Sequence, residues 1–380
     1  MTDTTHHASL DAVAELGPVF ADRATALDRE GRFAADNYRD MKAAKLLSAG
    51  VPRELGGGGA GHAQLCAMIR ALARHCPSSA LSLSMHTHLV AAAVYKHRHG
   101  QPGAALLKKV ADGERVLVST GAGDWVDSNG SSERVPGGYR VTATKRFGSG
   151  APAGDIAVTS ARYDDPEQGP MVLHFPVPLD AEGVAIADDW DTLGMRATGS
   201  QTIRYEGVFV PEEAIALKRP RGPWHPAWNV VLTVAVPIYT AAYVGLAEAA
   251  ADEALQRARG QAEHGEPPAH APYLVGELQN ALMCAQLAGD ALVENARDYD
   301  FEPELKRAER ALRLKTLATS GVRATVDKAV ELTGGAAYFR RCRLEQLWRD
   351  AQAAPFHPLP EKQQQRFTGR VALGLEPVHG

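Results

Sequence analysis

Four cysteines, at positions 66, 76, 284 and 342, are spread over 380 residues with no C-x-x-C spacing among them. That scarcity excludes a cysteine metal knuckle and a disulfide framework, so all four read as free thiols. No uninterrupted apolar run reaches the ~18 residues of a membrane span, and the opening MTDTTHHASLDAVAEL lacks a basic flank before an apolar core. The expectation is a soluble cytoplasmic protein with no membrane partner. An excess of one charge is missing too. The net charge of -4 comes from 41 basic and 45 acidic residues interspersed along the chain, which leaves no basic stripe to displace counterions from DNA or RNA. His6 and His7 sit in a polar tail and read as solvated side chains without a metal.

What is present is the material of a globular protein, 45% hydrophobic and 23% charged. Leu10, Val13, Val19 and Phe20 fall near a 3.6-residue period and predict an N-terminal helical domain over residues 1–115, interrupted by Pro52 and the Gly56 to Gly59 run. From 116 to 218 the texture changes. Tyr139, Val141, Ala143 and Phe147 alternate with Arg140, Thr142, Thr144 and Arg146, the period-2 mark of a half-buried strand. Short, turn-rich segments of this kind predict a small β-barrel. After a linker rich in Pro, Arg and Trp, stripes such as Val322, Val326, Ala329 and Val330 predict a C-terminal four-helix bundle over 219–380. The fold class expected is α+β, ordered α, then β, then α.

Several segments distributed along this order carry a resemblance. Val51-Pro52-Arg53-Glu54-Leu55-Gly56-Gly57 is similar to a VPxExGG loop, and the helix around Ser82 to Leu89 ends in histidines. Lys145-Arg146-Phe147-Gly148-Ser149 stands where K-x-W-I-T is expected, and Leu193 to Ser200 is similar to an LGMRGS turn. Glu331 to Tyr338 is similar to QxxGGxGY, and Arg349-Asp350-Ala351 to the RDA that follows it. Together they resemble the acyl-CoA dehydrogenase superfamily, which implies a bound flavin, FAD or FMN. By that resemblance Ser119, Gly121, Phe147, Gly148, Ser149, Gly334 and Gly335 bind the cofactor. Phe147 would give the isoalloxazine ring an apolar wall and Ser149 a hydroxyl at its reactive edge. The glycine pair also has a simpler reading as a helix C-cap. If it serves a neighbour's cofactor, the protein is a homo-oligomer, a dimer or tetramer.

The sequence departs from the dehydrogenases at the catalytic base. A carboxylate is needed beside the ring to remove a weakly acidic α-proton, yet the matching position is Pro358, preceded by His357. Glu361 lies three residues on, too far to substitute without a remodelled loop. The alternative base position, on the helix before Gly245-Leu246, holds Thr233-Val234-Ala235-Val236-Pro237 and no acid. The two-component flavin monooxygenases of the superfamily also lack this carboxylate, and the resemblance to them implies His357, His86 and Ser149 as catalytic residues around the reactive edge. A flavin reductase would then supply reduced cofactor, and O2 would oxidise a small apolar or aromatic substrate. Two alternatives stay open: an acyl-CoA dehydrogenase with an unusual base such as Glu361 and an electron-transfer flavoprotein partner, and a catalytically silent scaffold. Arg196 is a candidate for an anionic substrate group or for a pair with Asp191.

Overall fold

The computed structural model describes residues 7–121, 123–262 and 268–378. His6 lies outside them; His7 accepts a hydrogen bond at Nδ1 from the Ser9 amide and caps the first helix. Five helices form the N-terminal part: α1 (Ala8–Glu30), α2 (Ala35–Ala43), α3 (His62–Ala73), α4 (Pro77–Arg98) and α5 (Ala104–Gly113). Helix α4 is buried on nearly all sides. Its Ser84 and Thr87 hydroxyls satisfy themselves on the carbonyls of Leu81 and Leu83, so they enter an apolar interior without loss of hydrogen bonds.

The small β unit takes the form of two four-stranded sheets. One runs β1 (Leu117–Ser119), β4 (Ile156–Asp165), β5 (Gly169–Pro178), β8 (Leu217–Pro220); the other runs β2 (Ser131–Val135), β3 (Gly138–Gly148), β7 (Gln201–Pro211), β6 (Val184–Ile186). Tyr139 on β3 meets Tyr163 on β4 edge to face at 5.1 Å, so the sheets pack through the inward residues of the alternation. That alternation holds from Tyr139 through Lys145 and breaks at Phe147. Lys145 takes the inward position, 1% exposed, while Phe147 leaves it, 57% exposed at a φ of 63°. The register of β3 against β7 shifts between Lys145 and Gly148. The irregularity turns the strand end over and sends the aromatic ring outward.

The C-terminal part is built on three long helices, α6 (Ala227–Ala262), α7 (Ala271–Ala296) and α8 (Leu305–Thr333), followed by short α9 (Arg343–Ala351) against α6 and α8, and α10 (Glu361–Ala372) against α8. Helix α6 is long and apolar enough to cross a membrane by composition, a property that counting uninterrupted apolar runs does not reveal; its most apolar window is 89% buried. It is the central core helix, apolar all round because α3, α4, α7 and α8 surround it. At Gly245 a β-carbon would meet the Arg70 carbonyl oxygen at 2.1 Å, so the close crossing of α6 and α3 requires glycine.

Candidate functional site

A cleft of about 550 Å³ opens between the β unit and the segment joining α9 to α10. Thr120, Gly123 and Asp124 come from the loop after β1, Lys145, Arg146 and Phe147 from the end of β3, and Phe356, Pro358, Pro360 and Gln363 from the facing segment. A buried ion pair fixes the floor. Lys145 Nζ donates to Asp124 Oδ2 at 2.7 Å and to Ser128 Oγ at 2.9 Å, and the Ser160 hydroxyl donates to the same carboxylate oxygen. Burial pushes the Lys145 ammonium below its usual range, and Asp124 opposes that shift. Tryptophans 125, 224 and 228 pack behind this floor with Phe367, which makes them junction packing.

A flavin fits what remains open. The Phe147 ring stands free, braced edge-on by Trp190 at 6.2 Å, and Phe356, 78% exposed, enters the same cleft from the facing segment. Two exposed aromatic rings on one cleft provide the flat apolar contact an isoalloxazine ring needs. A β-carbon at Gly121 or Gly123 would meet nothing within 4 Å, so backbone there is open to close approach. Thr120 and Gly123, neighbours of the expected Ser119 and Gly121, line the cleft itself.

Ser149, beside Phe147 and Gly148, is part of a chain of hydroxyls. Thr198 donates to the Met195 carbonyl at 2.9 Å, Ser200 lies 2.7 Å from Thr198, and Ser149 lies 2.8 Å from Ser200. Because the Thr198 proton goes to the carbonyl, Ser200 donates to Thr198 and Ser149 to Ser200. Ser149 Oγ is thereby left with acceptor capacity only. Gly334 has φ 66° and ψ -152°, a conformation reserved for glycine, and side chains at Gly334 or Gly335 would meet nothing of this chain. The pair caps α8 and is not among the residues lining the cleft.

His357 lies between the cleft-lining Phe356 and Pro358. Its ring stacks on Tyr239 at 5.0 Å, and its Nε2 is 2.6 Å from Tyr243 Oη. Burial, then Lys315 and His88, lower its pKa to about 3, while burial holds the Tyr243 phenol well above 10. Both are therefore neutral near pH 7. The buried Tyr243 hydroxyl has no other hydrogen-bond partner among the described residues, so it donates to Nε2, which places the imidazole proton on Nδ1. Among the described residues no protein group bonds Nδ1.

The other expected residues go elsewhere. His86 was expected at the reactive edge; instead Nε2 donates to the Leu47 carbonyl at 2.8 Å and Nδ1 accepts from the Leu117 amide at 2.9 Å. Both nitrogens are used, one joining α4 to the loop after α2 and the other to β1, and burial lowers its pKa to about 4. His88, two residues on, is the one of the two with a spare atom: its Nδ1 is buried without a partner among the described residues, and its nearness adds to the lowering of the His357 pKa. Arg196 donates from Nε to the Asp28 carbonyl and from Nη1 to Asp191 and the Thr192 carbonyl, and it is not among the residues lining the cleft. Glu361 bonds outward along α10 to Lys362 and Gln365 and does not line the cleft, so it is not placed to act as a base. In the RDA segment, Arg349 pairs with Asp28 at 2.6 Å, and Asp350 Oδ1 accepts from the Met195 amide while Oδ2 is buried without a partner. Burial pushes the Asp350 carboxyl up to about 7.

Sequence reasoning missed Tyr239, Tyr243, His88 and Lys315. Two tyrosines at i and i+4 on an otherwise apolar helix were the available signal.

The β unit between helical parts, with an open aromatic cleft at its edge, defines a flavin-dependent oxidoreductase. Residues 5–114 match the acyl-CoA dehydrogenase N-terminal domain and residues 238–360 the acyl-CoA dehydrogenase C-terminal domain. The chain belongs to the acyl-CoA dehydrogenase superfamily. It is 29% identical to L-evernosamine nitrososynthase of Micromonospora sp., covering 97% of this chain and 90% of that one. It is 27% identical to dibenzothiophene monooxygenase of Rhodococcus erythropolis, covering 88% and 86%, and 26% identical to mitochondrial isovaleryl-CoA dehydrogenase of Oryza sativa subsp. japonica, covering 87% and 82%. Among solved structures, the nitrososynthase from Micromonospora carbonacea var. africana superposes with a TM-score of 0.90 at 26% identity, covering 99% of this chain and 98% of that one. KijD3, in complex with FMN and a dTDP-linked amino keto sugar, superposes at 0.89 with 27% identity, covering 98% and 94%.

Proposed function

We propose that this flavoprotein is a monooxygenase that transfers one atom of O2 to a nucleophilic nitrogen or sulfur of a small substrate. The observation that carries the reading is the neutral His357–Tyr243 pair, beside Pro358, the position that by resemblance would hold the dehydrogenase carboxylate. An amine attacks oxygen only when unprotonated; Asp124, which lines the cleft, is already paired with Lys145, and the Lys315 ammonium behind His357 favours the neutral amine. The nitrososynthases and the dibenzothiophene monooxygenase among the relatives support the same reading.

Bound flavin, FAD or FMN delivered reduced by a separate reductase, supplies the two electrons that turn the second oxygen atom into water. Phe147 and Phe356 hold the ring and keep water from it. Ser149 Oγ accepts a hydrogen bond at the ring edge. His357 would donate a hydrogen bond from Nδ1 to the oxygen atom that leaves as water, and Tyr243, donating to Nε2, would hold that tautomer. Gly334 and Gly335, open on their own chain, serve a neighbour's cofactor in a dimer or tetramer.

The test supplies photoreduced FAD or FMN and isotopically labelled O2 with dibenzothiophene and a dTDP-linked amino sugar, and follows label entering the product by mass spectrometry. Incorporation of one labelled atom supports the reading. Bleaching of oxidised FAD by acyl-CoA thioesters without O2, and no labelled product, establishes the dehydrogenase instead.

A further inference from the structure

Lys315 reaches from the middle of α8 into the interior, 2% exposed, and its ammonium meets no carboxylate at salt-bridge distance among the described residues. It donates to the His357 carbonyl at 2.8 Å and the Leu359 carbonyl at 3.0 Å, while Tyr239 Oη donates to the carbonyl between them, that of Pro358, at 3.0 Å. Three consecutive carbonyls of the segment bearing the site histidine are thus held by two side chains from two bundle helices. Burying an uncompensated ammonium is costly, so carbonyl caps that a neutral donor would also provide do not explain its charge.

We propose that Lys315 is a positioning residue: its ammonium clamps the His357–Leu359 backbone and fixes the imidazole as the neutral tautomer with its proton on Nδ1. The clamp orients the ring against Tyr239 so that Nε2 meets the Tyr243 hydroxyl. The positive charge also opposes a second proton on the ring. The groups whose fields reach this cluster are His88 from α4, Tyr239 and Tyr243 from α6, Asp350 from α9 acting on Tyr243, and Glu361 at the start of α10, whose charge favours the ammonium. Burial outweighs Glu361 and lowers the Lys315 pKa to about 8. The ammonium is therefore intact below that pH and lost as pH rises through it, which loosens the clamp.

This inference rests on the reading of His357 as the proton-handling group, and its test does not depend on turnover. Histidine labelled with heavy nitrogen is observed by NMR in the full-length protein, with the His357 signals assigned from their loss in His357→Gln. In the wild type the ring shows one neutral tautomer, and its shifts move with a midpoint near 8. Lys315→Arg keeps the tautomer and abolishes that inflection, because guanidinium does not titrate there. Lys315→Gln keeps a donor for the carbonyls without the charge, and Lys315→Met removes both; each gives mixed tautomers. An unaltered tautomer in both neutral variants, or no inflection in the wild type between about pH 7 and 9.5, overturns the proposal. If Lys315→Met does not fold, the glutamine and arginine variants decide. A protein that shows these shifts but oxygenates nothing keeps the clamp and loses the monooxygenase reading.

Discussion

Tyr243 Oη lies 2.6 Å from His357 Nε2, and the two groups come from α6 and the segment after α9, 114 residues apart in the chain. Burial holds the phenol well above its ordinary pKa and, with Lys315 and His88, the imidazole well below, so both groups stay neutral where they meet.

His357→Ala is expected to lower turnover by roughly 10²–10⁴-fold, the usual contribution of a positioned acid or base, with flavin affinity nearly unchanged. Because the wild-type imidazole titrates at about 3, kcat/KM has no acid limb at the ordinary histidine value of ~6.5. Steady-state kinetics across pH, with flavin binding measured by fluorescence, checks both.

Replacing His86 with Ala should act on stability. It strands the Leu47 carbonyl and the Leu117 amide, about 1–3 kcal/mol each. Turnover per folded molecule should be close to wild type. A folded His86→Ala protein with turnover reduced a hundredfold would return His86 to the mechanism.

The same histidine makes the fold acid-sensitive. His86 and His88 both have pKa values lowered by burial to about 4. Their contribution is complete above the unfolded value of ~6.5 and falls as pH drops from there toward 4, by up to about 2 kcal/mol each at pH ~5. A thermal midpoint that declines between these limits, and less steeply in His88→Phe, is the expected record.

Lys145→Met leaves Asp124 buried without its cation and is expected to cost about 3–5 kcal/mol. The loop carrying Thr120 and Gly123 loses its anchor with it, so flavin affinity should fall in parallel. Denaturant melts of the apoprotein separate the two effects.

Phe147→Ala has the opposite signature. The ring is mostly exposed, so the apoprotein melt should hardly move, while flavin binding weakens by about tenfold as ~1–2 kcal/mol of aromatic contact is lost. Unchanged flavin affinity would remove the ring from the cofactor wall.

The order of helices, sheets and helices was legible in the sequence because burial of one face imposes a period on the residues that form it, 3.6 in α8 and 2 along β3. The absence of a carboxylate at Pro358 was equally legible, since composition at a position needs no coordinates. The direction of single side chains was not. Period 2 alone places Phe147 inward with Lys145, and only the strand irregularity turns the ring out. Spacing along α4 did not reveal that His86 would be consumed by two backbone groups and His88 left with a spare nitrogen.

The sequence by itself determined the family and the flavin through the motifs it shares with the acyl-CoA dehydrogenases, and it put proline in place of a carboxylate at position 358. Tertiary structure alone decided which ionisable groups meet. Tyr243, Lys315 and His357 are distant along the chain, and their proton affinities are set by the burial and the hydrogen bonds they gain only when α6, α8 and the segment after α9 pack together.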